Sequence, residues 1–548
     1  MQELPPVELP GASRPAMAWD AWGVADQRRP LTAKTRSVLQ AALGISSGRA
    51  HHVSTQPALT RSSLSLERRR ALGSIVGPGH VSSEDTVRVY HLGGKSTLDL
   101  LARRSNDPQP APDAVVFPAN ADEVEAVLRY CSDESIAVVP FGGGTSVVGG
   151  VDPVREWFDT VVTVSTRRMN ALTDLDEGSR TATLEAGVSG PEAERMLARH
   201  GFSLGHFPQS FAFASIGGFA ATRSSGQASA GYGRFDQMVE ALSIATPVGT
   251  ITCGHVPASA AGPDLRQVFL GSEGTLGIIT SVTVRIHPVP EYTEYRAWWF
   301  SNFTSGVSAL RVLSAHTAKP TVLRLSDETE TGINSLLSDS DSDSDSKGES
   351  AAVRGGCVAI ALFEGSRTDV QARAAAADAV VCASGGEVHP NEAARVWERG
   401  RFDAPYLRDA LLDAGALAET LETAARWSTL ARVRSEVTDA LVGTLTESGT
   451  PPVVMCHISH VYPTGASLYF TVVCAAGDDP SAQWRAAKDA ATQAMIDTHA
   501  TITHHHAVGR DHLPYMTAEV GPIGTSILRA IKSAVDPAGV LNPGKLIP

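Results

Sequence analysis

The chain has 548 residues, more than one hydrophobic core usually serves, so we expect two or more domains. Hydrophobic residues make up 43% of it and charged residues 19%, a balance that excludes a disordered chain and is typical of a folded enzyme. The formal net charge of −13 and the lack of a concentrated basic face exclude a protein that binds duplex nucleic acid.

The cysteines and the first residues bear on the cellular compartment. The six cysteines form no CxxC pair and no metal-ligand spacing, so we expect reduced core thiols and no metal site. Residues 1–15 have neither the basic start nor the apolar run of a signal peptide, and no stretch approaches 18 apolar residues. These patterns predict a cytoplasmic protein, peripheral to a membrane at most. High Ala, Gly and Arg usage indicates a bacterial source.

Residues 1–110 are predicted to form an N-terminal helical extension, with a helix over residues 32–43. A first domain is predicted over residues 111–290. It opens with a strand (AVVFP), a helix (ADEVEAVLRYC) capped by Asn120 and a second strand (IAVVPF). Further β-branched runs lie near residues 160–165, 182–188, 239–252 and 277–289. Together these elements predict a mixed sheet with helices packed against it.

A second, α+β domain is predicted over residues 291–500, because runs such as CVAIALFEG and SLYFTVVCAA alternate with Ala-rich helical segments. Residues 338–346 alternate Ser and Asp, which is too polar to bury, so we expect a mobile loop there. An inert surface insertion and a loop that gates substrate both fit that pattern. Residues 501–548 contain the helical ILRAIKSAVD and are predicted to return to the first domain.

Glycine-rich segments carry the strongest functional signal. GGKST at residues 93–97 lacks the first glycine of a Walker A loop, and GGGTSV lacks the third glycine of a Rossmann fingerprint, so we exclude both sites.

PFGGGTSVVGG at residues 140–150 follows a strand directly, which lets successive backbone N–H groups face one diphosphate without any Lys or Arg. Alone, this loop also fits a glycine-rich hairpin. SIGGFAATRSSG at 215–226 and GSEGTLG at 271–277 favour a cofactor site, since three such loops are hard to explain as turns.

Five segments carry a resemblance to a known family: PFGGGTSV, SIGGFAATRSSG, YGRFDQMV, GSEGTLGIIT and RIHPVPEY. They resemble the vanillyl-alcohol-oxidase-type FAD-binding superfamily and, within it, the alkylglycerone-phosphate synthases. MAWDAWG, GASLYF, THHHAVG and residues 406–427 are similar to segments of those synthases as well. The resemblance implies an α+β fold with a two-subdomain FAD-binding domain and an α+β cap domain built on an antiparallel sheet. It also implies a homodimer.

The resemblance implies FAD as the cofactor. Some members of the superfamily tether FAD through a His or Cys near the first glycine loop, whereas this loop offers only Phe141, glycines and hydroxyls, which implies non-covalent binding. The residues implied to contact FAD are Pro140, Gly142, Gly143, Gly144, Thr145, Ser146, Pro208, Ser210, Ser215, Gly217, Gly218, Thr222, Ser225, Gly226, Glu273, Gly274, Gly277 and Ile278.

Three consecutive histidines follow the run THATIT. If a strand continues into them, His504 and His506 share a face and His505 points away. Adjacent residues cannot all converge on one metal ion, and the spacing matches no closed zinc pattern. The segment is therefore either a polar strand end or a set of neutral imidazoles that accept and return a proton near the flavin.

The resemblance changes the interpretation of three further residues. Tyr469 would by default be a packing tyrosine and Arg408 a solvated arginine on a helix. The resemblance instead implies that Tyr469 performs acid/base catalysis, that Arg408 binds substrate phosphate through its guanidinium fork, and that Arg324 is needed for activity. With the three histidines they are predicted to form one anion-binding, proton-handling site.

The implied reaction exchanges the acyl group of acyl-dihydroxyacetone phosphate for a fatty alcohol and gives an ether lipid precursor without net oxidation, with FAD as electron sink and covalent handle. Such lipid substrates imply transient contact with a membrane surface. The C-terminal LNPGKL, however, resembles flavin-dependent 2-hydroxy-acid dehydrogenases. An FAD-linked dehydrogenase or oxidase of D-lactate or glycolate is therefore the alternative, and a flavin-bound scaffold protein without turnover is a third hypothesis.

Overall fold

The computed structural model describes residues 9–10, 15–45, 57–105, 107–338 and 355–548. Nearly all of the Ser-Asp run predicted to be a mobile loop lies outside these residues. Before residue 111 the described residues form the helices α1 (Ala33–Leu43), α2 (Leu66–Val76), α3 (Asp85–Arg88) and α4 (Thr97–Arg103) and the short strand β1 (Val81–Ser82).

The next part of the chain forms two larger sheets, a separate two-stranded sheet and the helices packed against them. Its elements are β2 (Ala114–Val116), α5 (Ala121–Asp133), β3 (Ala137–Phe141), β4 (Val161–Ser165), β5 (Leu172–Asp176), β6 (Thr181–Glu185), α6 (Gly190–Ala198), β7 (Phe202–Ser203), α7 (Ile216–Ala221), α8 (Ser229–Tyr232), α9 (Phe235–Met238), β8 (Val239–Thr246), β9 (Gly249–Cys253), α10 (Arg266–Phe269), β10 (Ile278–Arg285) and β11 (His287–Pro288).

The first sheet has the order β1–β2–β4–β3, in which β2, β4 and β3 run parallel. These three strands are apolar and buried along almost their whole length, as parallel strands covered on both faces must be. Helix α5 covers one face with Val124, Val127, Leu128 and Cys131, and the side chain of Asn120 accepts the N–H of Glu123 at its start. Because β1 pairs antiparallel with β2, the sheet begins before residue 111.

The second sheet has the order β5–β6–β10–β8–β9 and is antiparallel throughout. The predicted run over residues 239–252 is a hairpin of two strands, β8 and β9, that turns at Pro247 and Val248. The two sheets have separate apolar cores, and the ends of their strands bring the glycine-rich loops together.

The cap region is built on an antiparallel sheet with the order β15–β12–β14–β13–β17–β19–β16. Its elements are β12 (Tyr292–Phe300), α11 (Phe303–Ser314), β13 (Val322–Ser326), α12 (Glu328–Ser338), β14 (Cys357–Gly365), α13 (Arg367–Ala383), β15 (Glu387–His389), α14 (Glu392–Gly400), α15 (Ala404–Asp413), β16 (Ala416–Arg426), α16 (Leu430–Glu447), β17 (Val453–Ile458), β18 (Val461–Tyr462), β19 (Gly465–Ala475) and α17 (Pro480–Asp497).

The end of the chain leaves the cap and contacts the first sheet. Helix α18 (Met516–Val535) is kinked at Gly521, next to Pro522. After it, Val138 of β3 donates to the carbonyl of Val540 and accepts from the N–H of Asn542, both at 2.8 Å. The C-terminal residues therefore lie along the strand that leads into the first glycine loop.

Candidate active site

The first glycine loop begins where β3 ends and packs directly against the second. An ideal Cβ on Gly143 would lie 2.1 Å from the carbonyl oxygen of Phe213, and one on Gly142 would lie 2.2 Å from Oγ of Ser215. Such distances are too short for any side chain, so only glycine permits this approach. Ser215 also accepts the N–H of Gly218 at the start of α7, which fixes the second loop at the point of contact.

The third glycine loop completes the same cradle. Glu273 donates its N–H to the carbonyl of Ala221, and a Cβ on Gly274 would lie 2.5 Å from Cγ of Pro140. Gly274 has a φ of +73°, in the left-handed region that favours glycine. The three segments singled out in the sequence therefore converge at the end of β3.

Two basic residues lie beside the first glycine loop and were not among the predicted FAD contacts. Lys95 and Arg167 are buried and line a small cavity of about 30 Å³ together with Gly142, Gly143 and Gly144. Burial lowers the pKa of Lys95 and that of Arg167, the latter to about 10. Lys95 belongs to the GGKST run, whose spacing excludes a Walker A loop. A lysine directly after two glycines was the only feature of the sequence that could have indicated an anion site here.

The cradle fits a polar cofactor that carries a diphosphate. Buried side-chain atoms without a hydrogen-bond partner include Oγ of Ser165, which lies opposite Phe141 in the sheet, and Oγ of Ser272 in the third glycine loop. Unpaired buried hydroxyls are costly, so they indicate places where a ligand group is able to bind. Together with the glycine packing and the two basic side chains, they are compatible with a diphosphate at this place, and contact of these residues with FAD stays a prediction.

The predicted cofactor residues do not all lie in one place. Gly142, Gly143, Gly144, Ser215, Gly218 and Gly274 form the cradle just described, and Thr222 and Glu273 line a larger cavity nearby. Ile278 is a core residue of β10, opposite Ala245. Ser225 is buried with its Oγ 3.0 Å from Nδ1 of His460 in the cap. For these and the remaining positions, contact with FAD stays a prediction.

The three-histidine segment is a loop and not a continued strand. Residues 500–509 form bends, and Ala507 has a φ of +73°. The alternation expected for a strand is therefore wrong: His504 and His505 point to the same place, with their Nδ1 atoms 3.0 Å apart. The run THATIT does not form a strand, because α17 continues to Asp497 and the chain then turns back against Thr423 and Ala424 of β16.

His460, which the sequence argument missed, joins these histidines. Its ring lies 5.1 Å from that of His504 and 5.3 Å from that of His505, and nitrogens of the three residues all lie within 4.8 Å of one another. Nε2 of His504 is 2.6 Å from the hydroxyl of Tyr462, so both of its nitrogens already have partners and we assign no metal ion to this group. Burial lowers the pKa of all three imidazoles, which keeps them neutral at physiological pH.

Tyr469 lies against the same histidines. Its ring is 5.7 Å from that of His506, 6.1 Å from that of His505 and 4.8 Å from that of His457, on which it stacks. Its hydroxyl donates to Oγ1 of Thr420 at 3.0 Å. Burial raises the pKa of Tyr469 to about 12, so the phenol stays protonated and is able to donate a proton.

Of the two predicted arginines, the structure brings one to this group. Arg324 is 2.9 Å from Nδ1 of His457 and 2.5 Å from Glu330, so it reaches Tyr469 through His457. Arg408 is largely buried elsewhere, where it donates to the carbonyl of Lys95 and pairs with Asp409 at 2.9 Å. No hydrogen bond or ion pair between the described residues joins Arg408 to the histidines or Tyr469.

A cavity of about 730 Å³ gives His504 and His505 access to a large substrate. It lies between the glycine-loop region and the cap, and its walls include His504, His505 and Tyr462 on one side and Thr222 and Glu273 on the other. A reaction at the histidines would therefore take place next to the predicted cofactor cradle.

Comparison with known proteins agrees with this geometry. Residues 112–254 match a family model described as an FAD binding domain, and residues 289–546 match one described as the C-terminal domain of FAD linked oxidases. An alkyldihydroxyacetonephosphate synthase of Dictyostelium discoideum is 32% identical over 87% of this chain and 80% of its own length. The one of Trypanosoma brucei brucei is 31% identical over the same shares. A solved alkyldihydroxyacetonephosphate synthase superposes with a TM-score of 0.80 at 26% identity, over 97% of this chain and 99% of that one.

The chain belongs to the alkyldihydroxyacetonephosphate synthase family. The predicted resemblance, fold class and FAD cofactor are thereby confirmed, and the chain is an FAD-dependent enzyme of this family. Both relatives named above are eukaryotic, so these comparisons give no support to the predicted bacterial source.

Proposed function

We propose that this synthase-family enzyme exchanges the acyl group of acyl-dihydroxyacetone phosphate for a fatty alcohol. One observation carries the proposal: the neutral imidazoles of His504 and His505 border a cavity between the FAD cradle and the cap, and the protonated Tyr469 lies next to them, with its ring 6.1 Å from that of His505. An exchange of this kind needs proton acceptance and proton donation at neighbouring atoms but no external oxidant. The alternative, oxidation of a 2-hydroxy acid, has less support from the relatives.

The chain's own residues supply the proton transfers. We assign the first to an imidazole of His504–His506, which takes a proton from C1 of the substrate, and the return of a proton to Tyr469 and the same imidazoles. The fatty acid leaves, the alcohol oxygen bonds to C1, and the hydroxyl proton of the alcohol replaces the one that was lost. FAD, when bound without a covalent link as we propose, supplies an acceptor for the electron pair at C1.

Arg408 and Arg324 are the residues that we propose for the phosphate of the substrate and for activity, respectively. A guanidinium fork pairs well with phosphate oxygens, and Arg408 already directs one nitrogen at a carbonyl oxygen and two at Asp409. Phosphate binding there would replace the bond to Lys95. Arg408→Lys tests this assignment, because lysine keeps the positive charge but lacks the guanidinium fork. A rise in KM would report weaker substrate binding, whereas a fall in kcat would report a loss of catalysis.

We further propose a cytoplasmic homodimer that touches a membrane surface when it takes up lipid. Exposed apolar side chains on α18 support the membrane contact: Ile523 is 76% exposed, Ile527 is 55% exposed, and Val520 borders the cavity. Ile523 and Ile527 lie one turn apart on the same face beyond the kink. Across the part of the chain that the structure describes, no helix is both long and apolar enough to cross a membrane.

The deciding assay is exchange of a labelled fatty alcohol into acyl-dihydroxyacetone phosphate, followed as labelled ether product. The expected result is label in the product only when both substrates are present. Anaerobic addition of D-lactate or glycolate is the counter-test. Rapid loss of the oxidised flavin absorbance with a hydroxy acid, without alcohol exchange, would establish the oxidoreductase instead.

A further inference from the structure

A buried carboxylate lies directly behind the three-histidine segment. Glu422 is in the middle of β16, opposite Tyr469 on β19, and its side chain has no exposed surface. Burial of a charged group costs several kcal/mol unless hydrogen bonds or opposite charges compensate it. Within the described part of the chain, no Lys or Arg forms an ion pair with Glu422, so the compensation comes from elsewhere.

The compensation comes from the backbone of the histidines themselves. Glu422 accepts the N–H of His504 at 2.6 Å, of His505 at 3.1 Å and of His506 at 2.8 Å, and the hydroxyl of Thr503 donates at 2.6 Å. A loop without strand partners needs acceptors for its backbone N–H groups, and the carboxylate of Glu422 accepts three of these N–H groups. Its own lone pairs are satisfied in turn.

The charge state of Glu422 agrees with these contacts. Burial disfavours the charged form of Glu422 and raises its pKa, but the hydroxyl of Thr503 and the three backbone N–H groups donate to its oxygens and lower that pKa again. A carboxylate that accepts several N–H bonds is stabilised in its charged form. Glu422 is therefore ionised and acts only as an acceptor.

The other end of the segment is held from the opposite domain. Glu273 in the third glycine loop accepts the N–H of Val508 and of Gly509, each at 2.8 Å. Between the two carboxylates lies Ala507, whose φ of +73° is unfavourable for a residue with a Cβ. A strained turn persists only where its surroundings fix it, and here the fixing groups come from both domains.

We propose that Glu422 is a positioning residue that, together with Glu273, fixes the backbone of residues 503–509, so that the imidazoles of His505 and His506 lie against Tyr469 and those of His504 and His505 border the cavity. The catalytic meaning of this clamp rests on the proposed function, since it acts through the histidines. The clamp itself is a structural claim that is testable without turnover.

The test is Glu422→Gln, with hydrogen–deuterium exchange of the FAD-loaded enzyme as the first measurement. Glutamine has the same shape, but its single amide oxygen cannot accept all these donors and its N–H₂ group would face a backbone N–H. We expect the amides of residues 504–506 to exchange about tenfold faster or more, because exchange reports local opening. Bound FAD per chain should stay unchanged.

Turnover gives the second measurement. We expect kcat to fall roughly 100-fold with KM within about twofold, because a displacement on the order of 1 Å at a reacting group costs that much while substrate contacts remain. Glu422→Asp keeps the acceptor charge and should recover part of the lost kcat. A carboxylate that only stabilised the cap would show neither the selective loss of kcat nor this recovery.

Asp113→Asn is the matched control. Asp113 is also fully buried and accepts two backbone N–H groups, those of Ser63 and Val161, but unlike Glu422 it pairs with an arginine, Arg155, at 2.7 Å. It lies at the start of β2, at the opposite end of the parallel strands from the first glycine loop. We expect this variant to lose stability without faster exchange at residues 504–506 and without a loss of kcat.

Two outcomes would overturn the positioning role. One is unchanged exchange at residues 504–506 in Glu422→Gln, and the other is faster exchange spread over the whole cap as in a general loss of stability. A wild-type enzyme without alcohol exchange would defeat the proposed function alone, because the exchange pattern of the amides would still decide whether the clamp exists.

Discussion

The first glycine loop and the three-histidine segment are both glycine- or histidine-rich runs that stand out in the sequence, but they are fixed in different ways. The glycine loop leaves a buried strand and packs on two other glycine loops of the same domain, at distances that only glycine permits. The histidine segment has no regular structure and is held by Glu422 in the cap and Glu273 in the FAD-binding domain. The conformation of the glycine loop follows from local backbone shape, whereas that of the histidine segment depends on hydrogen bonds to residues more than 80 positions away.

This difference has a consequence for mutation. A change in the glycine loop should act on cofactor binding, because this loop packs on the other two glycine loops that form the cradle. A change at the histidine segment should act on turnover and leave the cofactor in place.

The largest effect is expected from Tyr469→Phe and His506→Ala. Removal of a group that transfers a proton typically costs about 10²- to 10⁴-fold in rate, and neither residue belongs to the glycine cradle. We therefore expect turnover to be lost at that scale with full FAD content, measured by alcohol exchange and by flavin absorbance.

His499→Asn is the control for these variants, since His499 is exposed and asparagine tolerates its positive φ. It should retain normal turnover. Near-normal rates in both Tyr469→Phe and His506→Ala would show that the site assignment is wrong.

An intermediate effect is expected from Gly143→Ala. The added Cβ would meet the carbonyl oxygen of Phe213 at 2.1 Å, so the first and second glycine loops must separate. Overpacking of this kind costs about 1–3 kcal/mol, which corresponds to roughly 5- to 150-fold weaker binding if the strain falls on the FAD-bound state. The release of flavin on dilution measures the affinity of this variant for FAD.

Gly443→Ala provides the matched glycine, because Gly443 is exposed in α16 and has nothing within 4 Å of a new Cβ. It should bind FAD normally and gain stability. Normal FAD affinity in Gly143→Ala would contradict the cradle.

The smallest effect is expected from pH. Burial raises the pKa of Glu273 to about 7 from the usual value near 4.5, so the folded protein prefers the protonated form. Stability from this group is complete below about pH 4.5 and is lost as the pH rises through 7. We expect the thermal midpoint to fall by roughly 1–4 °C over that range, and Glu273→Gln to flatten this part of the profile. If the thermal midpoint of Glu273→Gln fell by the same amount over this pH range, the pH dependence would belong to another titrating group.

Much of the fold follows from local pattern. The apolar periodicity of residues 121–133 and the cap at Asn120 give α5, and β-branched runs give β3, β4 and β10, because each element buries a face that its own sequence makes apolar. The strand expected to run into the histidines was wrong for the opposite reason. Its polar and apolar residues alternate, but the backbone bonds go to a distant carboxylate instead of a neighbouring strand.

The candidate site divides in the same way. Tyr469 and the histidines lie together as the resemblance implied, whereas Arg408 lies against Lys95 and Asp409, and His457, His460, Glu422 and Lys95 entered the site only through the structure. A histidine in β17, a second one just after it and a glutamate within an apolar strand look like ordinary sheet residues. Hydrophobic periodicity alone does not tell which distant residue will face them.

The sequence by itself determined the FAD cradle and the family, because glycine runs after strands restrict the backbone locally and need no distant partner to be recognised. Only the tertiary structure decided where the histidines point, since the pairing of two buried carboxylates with one irregular loop joins residues from both domains. Local sterics can be inferred from a short stretch of residues, but the hydrogen-bond partners of an irregular loop depend on how the whole chain folds.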